Sequence, residues 1–271
     1  AAALTPTRVP SAAIDTLPTY RVPPRILLRL GRAMLRRGEA SLVRDVRELM
    51  AATTPAPQLT GAENIPERGP FVAVANHCQR RGLWIGIASS LLTAAVADRR
   101  PAAPPLHWAV VGETRLWDGR VPVPGTRWAY REVARCYEMV TLPPAPGAVA
   151  GRAGALRRLA RLALPPPRGR GEPVALYPEG ERGTAAGLVE PLAGTGTLLR
   201  LLAAGGVPTL PVGFAEEEGR LRCRVGRPFH PERGGGGTEA AEEAMRRIAA
   251  LLPERMRGRF RPWDGETGVG A

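Results

Sequence analysis

The chain has 271 residues, 44% of them hydrophobic, which is enough for one large α/β domain or two small ones. Its formal net charge of +13 comes entirely from arginine, since no lysine occurs. Codon bias in a GC-rich genome accounts for such a diet, and attraction to anionic lipid or an anionic substrate is the second reading. Three cysteines, Cys78, Cys136 and Cys223, exclude a disulfide framework and a zinc cluster and fit a reducing, cytoplasmic compartment.

In chain order, residues 1–23 carry four prolines and no periodicity, so they read as a loose leader without a secretory signal. Residues 24–50 are helical in pattern, in two pieces broken near Gly38. The first piece sets Ile26, Leu27, Leu30 and Met34 against Arg25, Arg29, Arg32, Arg36 and Arg37. That is a basic amphipathic helix, which suits either a membrane surface or packing with a solvated face. A linker at 53–57 closes an N-terminal segment 24–57, the main domain spans 58–262, and 263–271 form a flexible tail.

The main domain alternates strand-like runs at 71–75, 108–111, 138–142, 174–177, 209–214 and 221–225 with helical runs at 83–97, 126–135, 148–163, 195–204 and 238–252. This predicts a single α/β domain with a central, largely parallel mixed sheet flanked by helices. The longest apolar run, 83–97, contains Ser89, Ser90 and Thr93 and falls short of the roughly 20 apolar residues of a spanning helix, so it reads as a core helix. Loops rich in Pro, Arg and Gly fall at 99–105, 165–173 and 231–237.

The first strand delivers Asn76 and His77 at its carboxyl end, where open α/β sheets bind ligands. A histidine there can work as a base at neutral pH, or simply be hydrogen-bonded in place. Cys78 lies beside it, but neighbouring side chains on an extended segment point apart.

The run Gly61, Glu63, Asn64, Ile65, Pro66, then Asn76-His77, resembles the first motif of the phospholipid and glycerol acyltransferase family. Residues 176–182 (Leu-Tyr-Pro-Glu-Gly-Glu-Arg) resemble its Phe-Pro-Glu-Gly-Thr-Arg motif. Residues 190–194, 207–212 and 225–229, followed by a helix at 240–252, are similar to later blocks, in the family's order. The resemblance implies acyl transfer to a lipid hydroxyl from an acyl-CoA or acyl carrier protein thioester as co-substrate, with no cofactor and no metal. It makes His77 the general base and Glu179 the second catalytic residue, positioning the acceptor or tuning the field. Asn76, Gly180, Arg182 and Gly194 are its substrate-binding candidates: Arg182 suits a phosphate, and Gly194 opens a helix whose amides suit an anion. The plainer readings are a turn salt bridge among Glu179, Glu181 and Arg182 and an ordinary helix start at Gly194. The expected partners are an acyl thioester, a lipid acceptor and an anionic membrane surface, with the protein peripheral to the inner face of the cell membrane. No nucleic-acid-binding motif is present.

The sequence departs from the family at several points. Gly82 stands where the family places an aspartate five residues after the histidine, the group that orients the imidazole. Glu113, Asp118 or Asp98 could replace it, a backbone carbonyl could orient the ring with slower chemistry, or the chain could be a catalytically impaired relative that binds lipid or acyl thioester. The strand at 138–142 runs into Pro143-Pro144 without the family's arginine, the lysine expected near Ala193 is missing, and Glu181 replaces threonine. These changes point to an acceptor less anionic than lysophosphatidate. Trp108, Trp117 and Trp128 could line an acyl pocket or pack ordinarily, and His107 and His230 read as structural or exposed.

Overall fold

The strand that ends before His77 is Val72–Ala75, and all four of its residues are buried. A strand buried on both faces belongs in the middle of a covered parallel sheet, and that is its place. A computed structural model describes residues 17–116, 121–143, 149–232 and 235–260. In chain order its strands are β1 (Gln58–Thr60), β2 (Val72–Ala75), β3 (His107–Val111), β4 (Arg115–Leu116), β5 (Val121–Pro122), β6 (Val140–Leu142), β7 (Val174–Leu176), β8 (Thr209–Glu217) and β9 (Arg220–Val225). Its α-helices are α1 (Pro24–Leu35), α2 (Leu42–Ala52), α3 (Ile85–Arg99), α4 (Thr126–Cys136), α5 (Val149–Ala163), α6 (Thr195–Ala204) and α7 (Gly237–Ala250).

Seven strands form one sheet in the order β1-β9-β8-β2-β7-β3-β6. Every pairing in it is parallel except β8 with β9, which form an antiparallel hairpin. The expected mixed, largely parallel α/β sheet is therefore present. The strands β4 and β5 make a separate two-stranded ribbon. Leu-rich and Ala-rich helices cover both faces, and the largest fully buried side chains are led by Trp108, Phe71 and Phe214.

Helix α3 is apolar almost all round, as a buried helix must be. Its hydroxyls are satisfied internally: Ser90 Oγ donates to the Gly86 carbonyl at 2.6 Å and Thr93 Oγ1 to that of Ser89 at 2.8 Å. No helix among the described residues is long and apolar enough to cross a membrane.

The N-terminal pair breaks where Gly38 suggested, between α1 and α2, and Ser41 caps α2 by accepting from the Arg44 N–H. Asp45 of α2 is buried and accepts from Arg29 Nη2 at 2.6 Å and from Tyr137 Oη at 2.8 Å, which ties both helices to the end of α4. On the apolar face of α1, Ile26 is buried, Leu30 and Met34 are half-buried and Leu27 is exposed, while the exposed Leu28 and Leu35 lie on the opposite, arginine-bearing side.

The strand expected at 138–142 starts only at Val140. Glu138 takes a left-handed φ of 54°, and the Met139 N–H returns to the Ala134 carbonyl at 2.8 Å, closing α4 in the manner of a helix C-terminus. The edge strand β1 was not expected, because three residues carry no readable alternation.

Helices α6 and α7 cross at Gly196, where an added Cβ would lie 1.6 Å from the Gly237 carbonyl oxygen. Backbone cannot yield there without separating the helices, so Gly196→Ala is expected to lower unfolding free energy by about 1–3 kcal/mol. Gly31 in α1 has nothing within 4 Å of such a Cβ, so Gly31→Ala should be neutral or raise stability by up to about 1 kcal/mol. Urea titration of the two variants beside the wild type checks both signs.

Candidate active site

At the carboxyl end of β2 the chain turns, and His77 is left 8% exposed. Its Nδ1 lies 2.9 Å from the carbonyl oxygen of Gly183. A carbonyl can only accept, so Nδ1 carries the hydrogen and the neutral ring keeps its lone pair on Nε2. Burial holds the imidazole below its ordinary value of 6.5, partly opposed by the Gly183 carbonyl. The ring is therefore neutral near pH 7 and presents a basic Nε2.

Glu179 lies in the turn after β7 and is only 1% exposed. Its Oε2 accepts from the backbone N–H of His77 at 2.8 Å, and its Oε1 from that of Val189 at 2.7 Å. The carboxylate thus touches the main chain of His77 and not its ring. Burial raises its pKa, and the two N–H groups and Arg182 pull it back.

Gly183 completes the arrangement. A Cβ there would meet His77 Cβ at 2.6 Å and Glu179 Oε2 at 2.8 Å, so only glycine lets its carbonyl approach the imidazole. The residue has no side chain to announce a role, and its sole sequence signal is its position directly after the Glu179–Arg182 motif.

Behind the ring stands an aromatic stack. Tyr177 meets His77 edge-on at 5.1 Å and stacks on Trp108 at 5.0 Å. Tyr177 Oη and Ser89 Oγ are hydrogen-bonded at 2.7 Å, and Trp108 Nε1 donates to Thr93 Oγ1 at 2.9 Å. Trp108 is therefore a packing residue that backs the site. Trp128 is exposed, and Trp117 lies outside the described residues.

The remaining sequence candidates fall at differing distances from this centre. Asn76 has both ends of its amide on the Phe214 backbone, donating to the carbonyl at 2.8 Å and accepting from the N–H at 2.6 Å. It pins the end of β2 to β8. Gly180 has a φ of 63°, and a Cβ on it would strike Leu192 at 2.4 Å. Arg182 is exposed, with its guanidinium on the carbonyls of Glu179 and Glu190. Gly194 starts α6 in a left-handed conformation and makes no bond to His77. Cys78 is fully buried, and burial pushes its thiol up to about 12, which leaves no thiolate for nucleophilic work. Among the described residues, no three His, Cys, Asp or Glu side chains converge as metal ligands would.

The position of the absent aspartate is also accounted for. Gly82 has a φ of 84°, and a Cβ there would lie 2.9 Å from Arg80 Nη1 and 3.1 Å from Thr19 Oγ1. Its carbonyl accepts from the Tyr20 N–H at 2.8 Å. The Arg80 side chain, nearly buried, is held by Glu216 and donates to the Pro18 carbonyl at 2.8 Å. An N-terminal strap and an internal ion pair therefore fill this space. Asp98 is paired with Arg47 at the end of α3, and neither it nor Glu113 is the partner of His77 Nδ1. Asp118 lies outside the described residues.

A carboxylate placed at position 82 should accordingly fail to reach the ring. Gly82→Asp is expected to lose about 1 kcal/mol of stability from the left-handed backbone and to place its carboxylate against Arg80. Nitrogen-15 NMR of the imidazole should show the same Nδ1–H tautomer in the variant and the wild type. A new carboxylate-bonded Nδ1 proton in the variant would refute this account.

Comparison with solved structures finds a similarity to PlsC from Thermotoga maritima, described as a 1-acyl-sn-glycerophosphate (LPA) acyltransferase. The two are 18% identical, the match covers 83% of this chain and 84% of that one, and the TM-score is 0.49. No family model and no curated protein matches the chain.

Proposed function

We propose that the protein is an acyltransferase that moves a fatty acyl group from an acyl-CoA or acyl carrier protein thioester to a hydroxyl of a glycerolipid-like or other lipid acceptor. The observation that carries this reading is the orientation of His77: Nδ1–H is fixed on the Gly183 carbonyl, so Nε2 is left as a base at the carboxyl end of β2. The ordered motifs around His77 and Glu179 resemble those of the glycerolipid acyltransferases and supply the reaction class.

In this mechanism Nε2 removes the proton of the acceptor hydroxyl as its oxygen attacks the thioester carbonyl. The tetrahedral intermediate collapses, the C–S bond breaks, and the imidazolium returns the proton to the departing thiolate. The protein forms no covalent bond, which agrees with the buried, protonated state of Cys78. Glu179 acts through the backbone of His77, holding it where the ring can reach substrate. Arg182 is the phosphate-facing candidate, and Gly180 and Gly194 shape the turns beside it. The lost cations favour an acceptor less anionic than lysophosphatidate.

A second reading is a catalytically impaired relative that binds lipid or acyl thioester. What favours it is the uncharged orienting group, because a carbonyl stabilises the imidazolium less than a carboxylate would.

Thiol release from acyl-CoAs with mixed lipid acceptors separates the two. Turnover that requires acceptor and falls at least about a thousandfold in His77→Ala is expected for the enzyme. Binding of acyl-CoA without turnover in either protein identifies the impaired relative. The pH profile adds a sign. Protonating Nε2 removes the base, so kcat/KM falls as pH decreases through the His77 pKa. Because burial lowers that pKa, the acid midpoint should lie below 6.5.

Peripheral attachment to the inner face of the cell membrane belongs to the same proposal. Leu28 and Leu35 of α1 are 62% and 79% exposed, among Arg25, Arg32 and Arg36. Exposed leucines framed by arginine suit an anionic bilayer interface. The double variant Leu28→Ser/Leu35→Ser should bind phosphatidylglycerol vesicles about tenfold more weakly in co-sedimentation, with an unchanged melting temperature.

A further inference from the structure

A cavity of about 710 Å³ opens at the end of the sheet opposite His77. Its floor includes His107, the first residue of β3, which is level with Val174 of β7, itself level with Val72 of β2. From Val72 to Ala75 the strand advances about 10 Å at roughly 3.3 Å per residue, and the turn that carries His77 lies beyond it. The cavity is therefore separate from the His77 site.

Five arginines from three separate segments converge on it: Arg135 at the end of α4, Arg158 and Arg161 on α5, and Arg168 and Arg170 in the loop before β7. Two are committed elsewhere, Arg135 to Glu132 at 2.9 Å and Arg170 to Glu172 at 2.8 Å. Among the described residues Arg158 donates to the Thr141 carbonyl, at 3.3 Å. Among the described residues neither Arg161 nor Arg168 has a carboxylate partner, and both are exposed. Glu138 is the acidic residue of the lining.

The walls between the arginines are apolar, made by Met139, Val140, Leu162 and Pro167. Below them His107 is fully buried and fixed, with Nδ1–H donating to the Glu138 carbonyl at 2.7 Å and Nε2 facing Glu172 Oε2 at 3.0 Å. The floor is buried and the rim is cationic. The volume is that of a small-molecule site.

We infer that this cavity binds an organic phosphate, with the phosphate on Arg158, Arg161 and Arg168 and its carbon-bearing body against the apolar wall. Guanidinium groups suit this because their planar forks take two phosphate oxygens at once. The site does not depend on the acyltransferase reading, and it lies too far from His77 to be part of the reacting centre.

Isothermal titration calorimetry of the full chain with ADP and with glycerol 3-phosphate tests it. At least one should bind in the micromolar range, and Arg161→Ala/Arg168→Ala should weaken binding by about tenfold or more. Both positions are solvent-exposed, so this variant should melt with the wild type. Binding should be unchanged in His77→Ala. Tighter ADP binding assigns a nucleotide, tighter glycerol 3-phosphate binding assigns a lipid-type headgroup phosphate, and equal binding assigns recognition of the phosphate alone. No binding of either at millimolar concentration, equal affinity in the arginine variant, or loss in His77→Ala would each overturn the assignment.

Discussion

The buried carboxylate of Glu179 joins two stretches of main chain, beside the bonds from Ala185 N–H to the Gln79 carbonyl and from His77 Nδ1 to the Gly183 carbonyl. It accepts from the N–H of His77, at the end of one central strand, and from the N–H of Val189, in the loop after the neighbouring strand. Hydrogen bonds from N–H groups to a buried charge are among the stronger ones in a protein, and each orphaned donor would carry a desolvation penalty of about 1–3 kcal/mol. The loop it anchors runs through Gly183, so the same carboxylate fixes the carbonyl that meets His77 Nδ1. The tautomer of His77 follows from this clamp.

This explains how the site tolerates Gly82. In a serine protease, replacing the orienting aspartate with asparagine costs about ten-thousand-fold in turnover, chiefly because the histidine adopts the wrong tautomer. Here the tautomer is correct without a carboxylate beside the ring. What is forgone is the attraction between a carboxylate and the forming imidazolium, which a carbonyl dipole replaces only in part. The space where that carboxylate would stand belongs to Arg80, Glu216 and the strap at Thr19 and Tyr20. An aspartate placed at position 82 would therefore meet neighbours that have their own partners.

The parts of this arrangement were unequally visible in the sequence. The Val-Ala-Val-Ala strand, the apolar run of α3 and the break at Gly38 are patterns of burial or backbone freedom, and these are written in residue type. His77 and Glu179 could be singled out because they carry ionisable side chains in recognisable turns, and the structure brings them together through the bond from the His77 N–H to Glu179 Oε2. Gly183 was not, because a backbone carbonyl belongs to every residue and its direction exists only once the loop has folded. Asn76 illustrates the converse. Its amide looked free to bind a substrate, yet both ends are satisfied by the Phe214 backbone, about a hundred and forty residues later in the chain.

Charge is the last constraint on His77. A net charge of +13 would disfavour an imidazolium anywhere in the molecule if its field were long-ranged, and the lowered pKa of His77 could be ascribed to it. Distance argues otherwise. The arginine-lined cavity lies at the amino ends of the strands, with the length of β2, about 10 Å, between that end and the turn to His77, and its uncommitted guanidiniums are exposed to solvent. The screening length at physiological ionic strength is about 8 Å, so their field at the ring is small. Desolvation by burial is the largest cause of the depression, and no arginine contributes to it. The basicity of Nε2 is therefore set by its immediate enclosure, and it should be insensitive to the arginines that dominate the surface.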